Sequence, residues 1–194
     1  MPVIVIGGSN KSVGKTSLIC GIVAAFPELR WTAVKITSHH YGQIEPVWEE
    51  HAVKGRQGGE ASDTSRFLGA GAHKSFLVTA SERVLPWREM EAALGGSRHV
   101  IFESNRIAKE LRADLRLAVV SGTEMGFKLS FFPFLNEADA VIAHPGADVM
   151  LPRNRREIPV FRLSSPSEIS QELTEWLRVK LGVEESRSSH WPDG

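Results

Sequence analysis

Cysteine is nearly absent, Cys20 being the only one in 194 residues. A single thiol excludes an internal disulfide framework and a Cys-rich zinc site, and it fits a reducing compartment. Net charge is absent too, because 23 Lys and Arg are matched by 23 Asp and Glu. Binding driven by bulk charge, as in a basic nucleic-acid binder or a polybasic membrane protein, is therefore disfavoured, although a local basic patch is not. No apolar run approaches the roughly 20 residues needed to span a bilayer. The leading Met1-Pro2-Val3-Ile4-Val5-Ile6 has no basic lead, and no small-residue cleavage site follows a long apolar stretch, so it does not read as a signal peptide. A soluble, cytoplasmic protein is the expectation. What is present is a globular balance, with 42% apolar and 24% charged residues. The length suits one domain, expected over residues 1–183, with a polar tail at 184–194 expected to be poorly ordered.

Short β-branched or apolar runs recur at Val3 to Ile6, Thr32 to Ile36, Phe76 to Thr79, Val100 to Phe102, Leu117 to Val120, Val141 to Ala143 and Val160 to Leu163. Most are continuous rather than alternating, which is how strands buried on both faces of a parallel sheet read. Leu18, Ile19, Ile22, Val23 and Phe26 follow helical spacing up to a stop at Pro27. Pro86 and Gly95 bound a helix of crossover length. Near the end, Ser165-Pro166-Ser167-Glu168 reads as a capping box, Ile169, Leu173, Trp176, Leu177 and Leu181 as an apolar stripe, and Gly182 as the stop. This alternation predicts a doubly wound α/β domain with a mainly parallel sheet of about seven strands flanked by helices. Residues 37–59 lack periodicity and carry Gly42, Pro46, Gly55, Gly58 and Gly59; connections of that length are usually functional or mobile.

The strongest chemical signal lies between the first strand and the first helix: Gly7-Gly8-Ser9-Asn10-Lys11-Ser12-Val13-Gly14-Lys15-Thr16-Ser17. Successive backbone N–H groups and a helix N-terminus offer partial positive charge to a phosphate chain, and glycine allows close approach. In such a loop Lys15 reaches the β and γ phosphates and the Thr16 hydroxyl ligates magnesium, while Ser12, Val13, Gly14 and Ser17 complete the cradle. The usual GxxxxGK[ST] spacing would start at Ser9, whereas the glycine is Gly8, so the back half matches and the front is shifted.

Other residues carry weaker signals. Lys35 ends the second strand, at the edge where open α/β sheets bind ligands, and suits a phosphate or a substrate carboxylate as well as a merely exposed strand end. Glu103 ends another apolar strand, where an acid can hold a magnesium-bound water, orient an attacking one, or simply cap backbone N–H groups. Asp63 is a second acid for a magnesium shell, or a surface partner for Arg66 three residues on. His39 and His40 invite a metal reading, but neighbours in an extended chain point to opposite sides and no Cys pair or HExxH pattern supports them. Arg153, Arg155 and Arg156 form a basic cluster suited to a nucleotide, an anion, a partner or plain solvation. Cys20 reads as a small core residue, and Trp48 as part of a lid or of the packing.

The loop is similar in spacing to that of dethiobiotin synthetases, which reads approximately GTDTxVGKT. A longer stretch resembles the molybdopterin-guanine dinucleotide biosynthesis protein B family. Ala33-Val34-Lys35-Ile36-Thr37-Ser38-His39-His40 looks like its second strand and Lys-x-x-His-His turn, with three residues rather than two between Lys35 and His39. Asp63-Thr64-Ser65-Arg66, followed by Ala70-Gly71-Ala72, looks like its Asp-Ser/Thr-x-Arg helix and Ala-Gly-Ala ending. Val100-Ile101-Phe102-Glu103 looks like its strand ending in an acid, although Ser104 stands where the family has Gly. The resemblance covers roughly the first 105 residues. It implies a P-loop NTPase that binds GTP or ATP with magnesium, hydrolyses slowly, and assists molybdenum-cofactor maturation beside another protein of that route and as a homodimer. Lys15, Lys35 and Glu103 would be its catalytic residues, and Thr16, Glu103 and Asp63 its metal shell. The alternative is an ATP-dependent enzyme of the dethiobiotin synthetase type, phosphorylating a small carboxylated substrate; there a lysine placed like Lys35 takes part in the site. No Asn-Lys-x-Asp guanine motif occurs, and Asn10 stands where a partitioning-type ATPase would carry an extra lysine.

Overall fold

Every residue of β1 (Val3–Gly8) is buried, yet its side chains serve two different cores. Successive residues of a strand point to opposite faces, so Ile4 and Ile6 enter one core while Val3 and Val5 enter the other. The computed structural model describes residues 2–37, 48–49, 62–79, 85, 87–122, 127–149, 151, 157–165 and 168–183. Within these, the other strands are β2 (Thr32–Thr37), β3 (Trp48–Glu49), β4 (Lys74–Thr79), β5 (Val100–Glu103), β6 (Leu115–Val120), β7 (Ala140–Ala143) and β8 (Val160–Arg162). The helices are α1 (Lys15–Ala25), α2 (Asp63–Gly69), α3 (Trp87–Leu94), α4 (Phe131–Asn136) and α5 (Gln171–Leu181).

The strands form one sheet in the order β3-β4-β2-β5-β1-β6-β7-β8. All seven expected runs are strands and pair in parallel. The eighth, β3, is a two-residue antiparallel edge strand on β4, inside the stretch whose sequence carries no period. One face of the sheet is covered by α1, α2 and α5, through Leu18, Ile22, Phe67, Leu173 and Leu177. The other is covered by α3 and α4, through Met90, Phe131, Phe134 and Leu135. Each such buried side chain contributes about 1.5–3 kcal/mol of apolar transfer, which is why the sheet is closed on both sides and the domain is doubly wound.

Register places the strand ends that matter. Across β2 and β5, Lys35 pairs with Glu103, and across β5 and β1, Glu103 pairs with Ile6. Partners in a parallel ladder share a face, so Lys35 and Glu103 both lie on the α1 and α2 side at the C-terminal edge of the sheet. That edge, beside a strand where the chain order reverses, is where open α/β sheets receive ligands.

Two expectations need correction. The cap of α5 is Ser170, whose side chain accepts from Leu173 N–H at 3.2 Å, and not the Ser165 box five residues earlier. A serine immediately before the first turn outcompetes one outside it, because only the former can reach an orphan N–H of the helix. Gly182 does end the helix, in the left-handed conformation with φ 64°. Cys20, read as core, packs against the core from its rim and is only partly buried, with Sγ 3.6 Å from the Arg66 carbonyl.

Candidate functional site

α1 starts from Gly14 with φ 89°, and no side chain caps its first turn. An uncapped helix start leaves backbone N–H groups facing outward, with the positive end of the helix dipole behind them. Ser12 also has positive φ, at 56°, so the loop turns sharply just before the helix. Val13 between them is buried in the core and anchors the loop. At the front of the loop, Gly8 N–H donates to Asn105 Oδ1 at 2.7 Å and Asn105 Nδ2 returns a bond to the Gly8 carbonyl at 3.0 Å. The shifted front of the motif is thus held by a side chain two residues beyond Glu103. Ser9, at the usual glycine position, is fully buried, and its N–H bonds to the Val119 carbonyl at 2.9 Å.

Gly14 is also packed from behind. A methyl group there would lie 2.2 Å from His144 Nε2, on the residue that follows β7. Burial lowers the pKa of this imidazole, with the Val13 backbone partly offsetting it. Gly14→Ala therefore combines left-handed strain of about 1–2 kcal/mol with displacement of a buried ring. We expect a measurable fall in the denaturation midpoint together with a distorted loop; a variant as stable as the parent would show that the loop tolerates a side chain here.

The remaining groups converge in front of the helix. Thr16 Oγ1 donates to Glu103 Oε2 at 2.8 Å. Lys15 Nζ donates to the Asn10 carbonyl at 3.3 Å and lies 3.9 Å from Glu103 Oε1. Lys35 Nζ is 3.4 Å from the same oxygen and hydrogen bonds to Asp63 Oδ2. Arg66 pairs with Asp63 Oδ1 at 3.6 Å and donates to Ser17 Oγ at 3.0 Å. Ser12, Val13, Gly14, Lys15, Thr16, Ser17, Lys35, Asp63, Arg66 and Glu103 together line a polar cleft of about 260 Å³.

Burial acts first on the charged groups, and their partners decide the outcome. It prevails at Lys15, whose pKa is lowered in spite of Glu103, with Lys128 and Lys35 adding repulsion. At Lys35 burial pushes the same way, but Glu103 and Asp63 outweigh it and the pKa is raised. At Asp63 burial would raise the carboxyl, yet Lys35, Thr16 and Arg66 hold it below its usual range. Lys35 and Asp63 are therefore a charged pair at neutral pH.

The loop residues from Ser12 to Ser17 thus share one cleft with Lys35, Asp63 and Glu103. Asp63 proves to be both a partner of Arg66 and a member of the cleft. His39, His40, Arg153, Arg155, Arg156, the tail at 184–194 and the side chain of Trp48 lie outside the described residues. Asn105, His144 and the cleft-lining role of Arg66 escaped the sequence reading. The signal for Asn105 was its position just after an acid-ending strand; His144 is brought beneath Gly14 only by the sheet order.

The arrangement fits an anion and a hard cation on its own chemistry. Backbone donors without a cap and two lysines offer sites for phosphate oxygens, and a hydroxyl with two carboxylates offers oxygen ligands of the kind magnesium takes. No group of three or more His, Cys, Asp or Glu suited to a metal occurs among the described residues. Nor, among them, is any helix long and apolar enough to cross a membrane.

The sheet with its seven parallel strands, its flanking helices and the loop leading into α1 give this molecule the fold of the P-loop NTPases. Among solved structures it is similar to HypB from Helicobacter pylori in complex with nickel, at 15% identity and TM-score 0.53, over 95% of this chain and 90% of that one. It is similar to LpxK from Aquifex aeolicus, an "apo" form in complex with ATP, at 16% identity and TM-score 0.51, over 84% of this chain and 53% of that one. A MobB protein homolog from Bacillus stearothermophilus is similar at 19% identity and TM-score 0.47, over 95% of this chain and 100% of its own. No family model matches the chain, and no curated protein matches it by sequence.

Proposed function

We propose that this protein binds a nucleoside triphosphate, GTP or ATP, together with magnesium, and acts as a slow NTPase that assists molybdenum-cofactor maturation. The observation that carries the nucleotide reading is the convergence of Lys15, Thr16, Glu103, Lys35 and Asp63 in front of the uncapped start of α1. Backbone groups of residues 12–17 and the Lys15 ammonium hold the phosphates, and Lys35 adds a second positive charge. Thr16 supplies a hydroxyl to the metal, with Glu103 and Asp63 holding its shell. Magnesium, when bound, neutralises charge on the phosphate oxygens. The hydrogen bonds of Glu103 support slow hydrolysis: it has Thr16 on one oxygen and two lysines near the other, so it is poorly placed to accept a proton from water. LpxK, alike in fold, is solved in complex with ATP, which supports a nucleotide ligand.

The cofactor-maturation role rests on the resemblance of the first 105 or so residues to the molybdopterin-guanine dinucleotide biosynthesis protein B family. On that reading the partner is a protein of the same route, and the working form is a homodimer. One observation favours the second reading, phosphoryl transfer to a small carboxylated substrate: Lys35 shares the cleft with Lys15, and two lysines can stabilise a transferring phosphoryl group. A panel of ATP, GTP and other nucleotides with magnesium, scored for binding and then for turnover, separates the two. Binding with little hydrolysis is expected. Fast turnover appearing only when a small carboxylate is added would replace the accessory role with the enzymatic one.

A further inference from the structure

The oxygen groups best suited to a hard cation already surround one. Lys35 Nζ sits between Asp63 Oδ2 and Glu103 Oε1, the latter at 3.4 Å, and Glu103 gives its other oxygen to the Thr16 hydroxyl at 2.8 Å. We propose that Lys35 is an internal counter-cation that fills the magnesium subsite until a triphosphate arrives, so that metal enters only together with phosphate. The inference rests on the proposed function and concerns how that site is regulated.

Geometry and charge carry the argument. The register of β2 against β5 puts Lys35 opposite Glu103, and α2 brings Asp63 to its other side, so the ammonium is not held there by chance of a flexible side chain. A divalent cation arriving alone would have to evict it. The ammonium would then be left in a half-closed cleft with Lys15, Arg66 and the metal, and no carboxylate to itself. Like charges at such spacing repel strongly where water is partly excluded. A triphosphate removes the obstacle, because its oxygens accept the ammonium a few Å away. Metal and nucleotide then become thermodynamically coupled through one lysine, in addition to their direct attraction.

The test uses the full chain without nucleotide and follows Mn2+ binding by electron paramagnetic resonance, with isothermal titration of Mg2+ beside it. Lys35→Met keeps the apolar stem and removes the charge, and it should bind the metal alone on the order of tenfold more tightly than the parent. Lys35→Arg keeps the charge and should bind as weakly as the parent. In Lys35→Met with Asp63→Asn the gain should disappear. Failure of Lys35→Met to gain affinity overturns the inference. Should that variant not fold, the parent decides: metal bound as tightly without nucleotide as with it overturns the inference, and weak binding that strengthens with a non-hydrolysable nucleotide supports it. If the parent binds no nucleotide at all, the proposed function fails instead, and the two failures are distinguishable.

Discussion

Replacing Lys15 by alanine should weaken Mg–ATP and Mg–GTP binding by about a hundredfold or more, the range expected when one partner of a desolvated charge pair is truncated. The ammonium stands over the start of α1, 3.3 Å from the Asn10 carbonyl and 3.9 Å from Glu103. Its pKa is lowered by burial, so the charge is held at a cost that a phosphate would repay. Loss of the side chain should leave the fold intact. Glu103 keeps Thr16 and Lys35 as partners, so no carboxylate is stranded, and the stability change should stay near 1 kcal/mol or below. Titration calorimetry with both nucleotides, beside a denaturation curve, checks both halves. Unchanged affinity would remove the loop from the phosphate site; lost affinity with an unfolded protein would leave the role of Lys15 to a Lys15→Arg comparison.

Glu103→Gln should raise the magnesium concentration needed for nucleotide binding by about tenfold to a hundredfold, the usual consequence of altering a group that orients a metal shell. The change is nearly isosteric, so packing in the β5 end is preserved. What it alters is charge and hydrogen-bond direction. Glu103 now accepts from Thr16 on one oxygen and faces Lys35 and Lys15 with the other. A glutamine can satisfy Thr16 only by turning its amide donors toward the two ammonium groups, or the reverse. A magnesium titration of nucleotide binding reads the effect directly. An unaltered midpoint would dismiss the assigned metal role and leave Glu103 as a structural partner of Thr16.

The sheet was legible because its strands are buried on both faces. Continuous apolar runs such as Val3 to Ile6 and Val141 to Ala143 have few competing explanations, and each became a parallel strand. The turn into α1 was legible in part, because Gly14 stands where the backbone turns left-handed, with φ 89°, whereas Ser12 adopts φ 56° without a glycine to announce it. Strand order was not, since it depends on which buried surfaces meet, and it is order that brings Glu103 beside Lys35 and His144 beneath Gly14. The cap of α5 was misplaced because two serines precede the same apolar stripe and only the three-dimensional start of the helix distinguishes them. Asn105 was missed for a related reason: an asparagine after a strand looks like any turn residue until its two bonds to the Gly8 peptide are seen.

The pairing of Lys35, Glu103 and Ile6 across three adjacent strands has a consequence for how this site can change over time. A substitution at either charged position alters one contact, but a one-residue insertion within β2 or β5 would turn every later side chain of that strand to the opposite face. Lys35 or Glu103 would then point into the apolar layer under α3 and α4 instead of the cleft. A one-residue insertion ahead of either position therefore dismantles the cleft unless a bulge absorbs it, whereas an exchange at a fixed position changes one contact at a time.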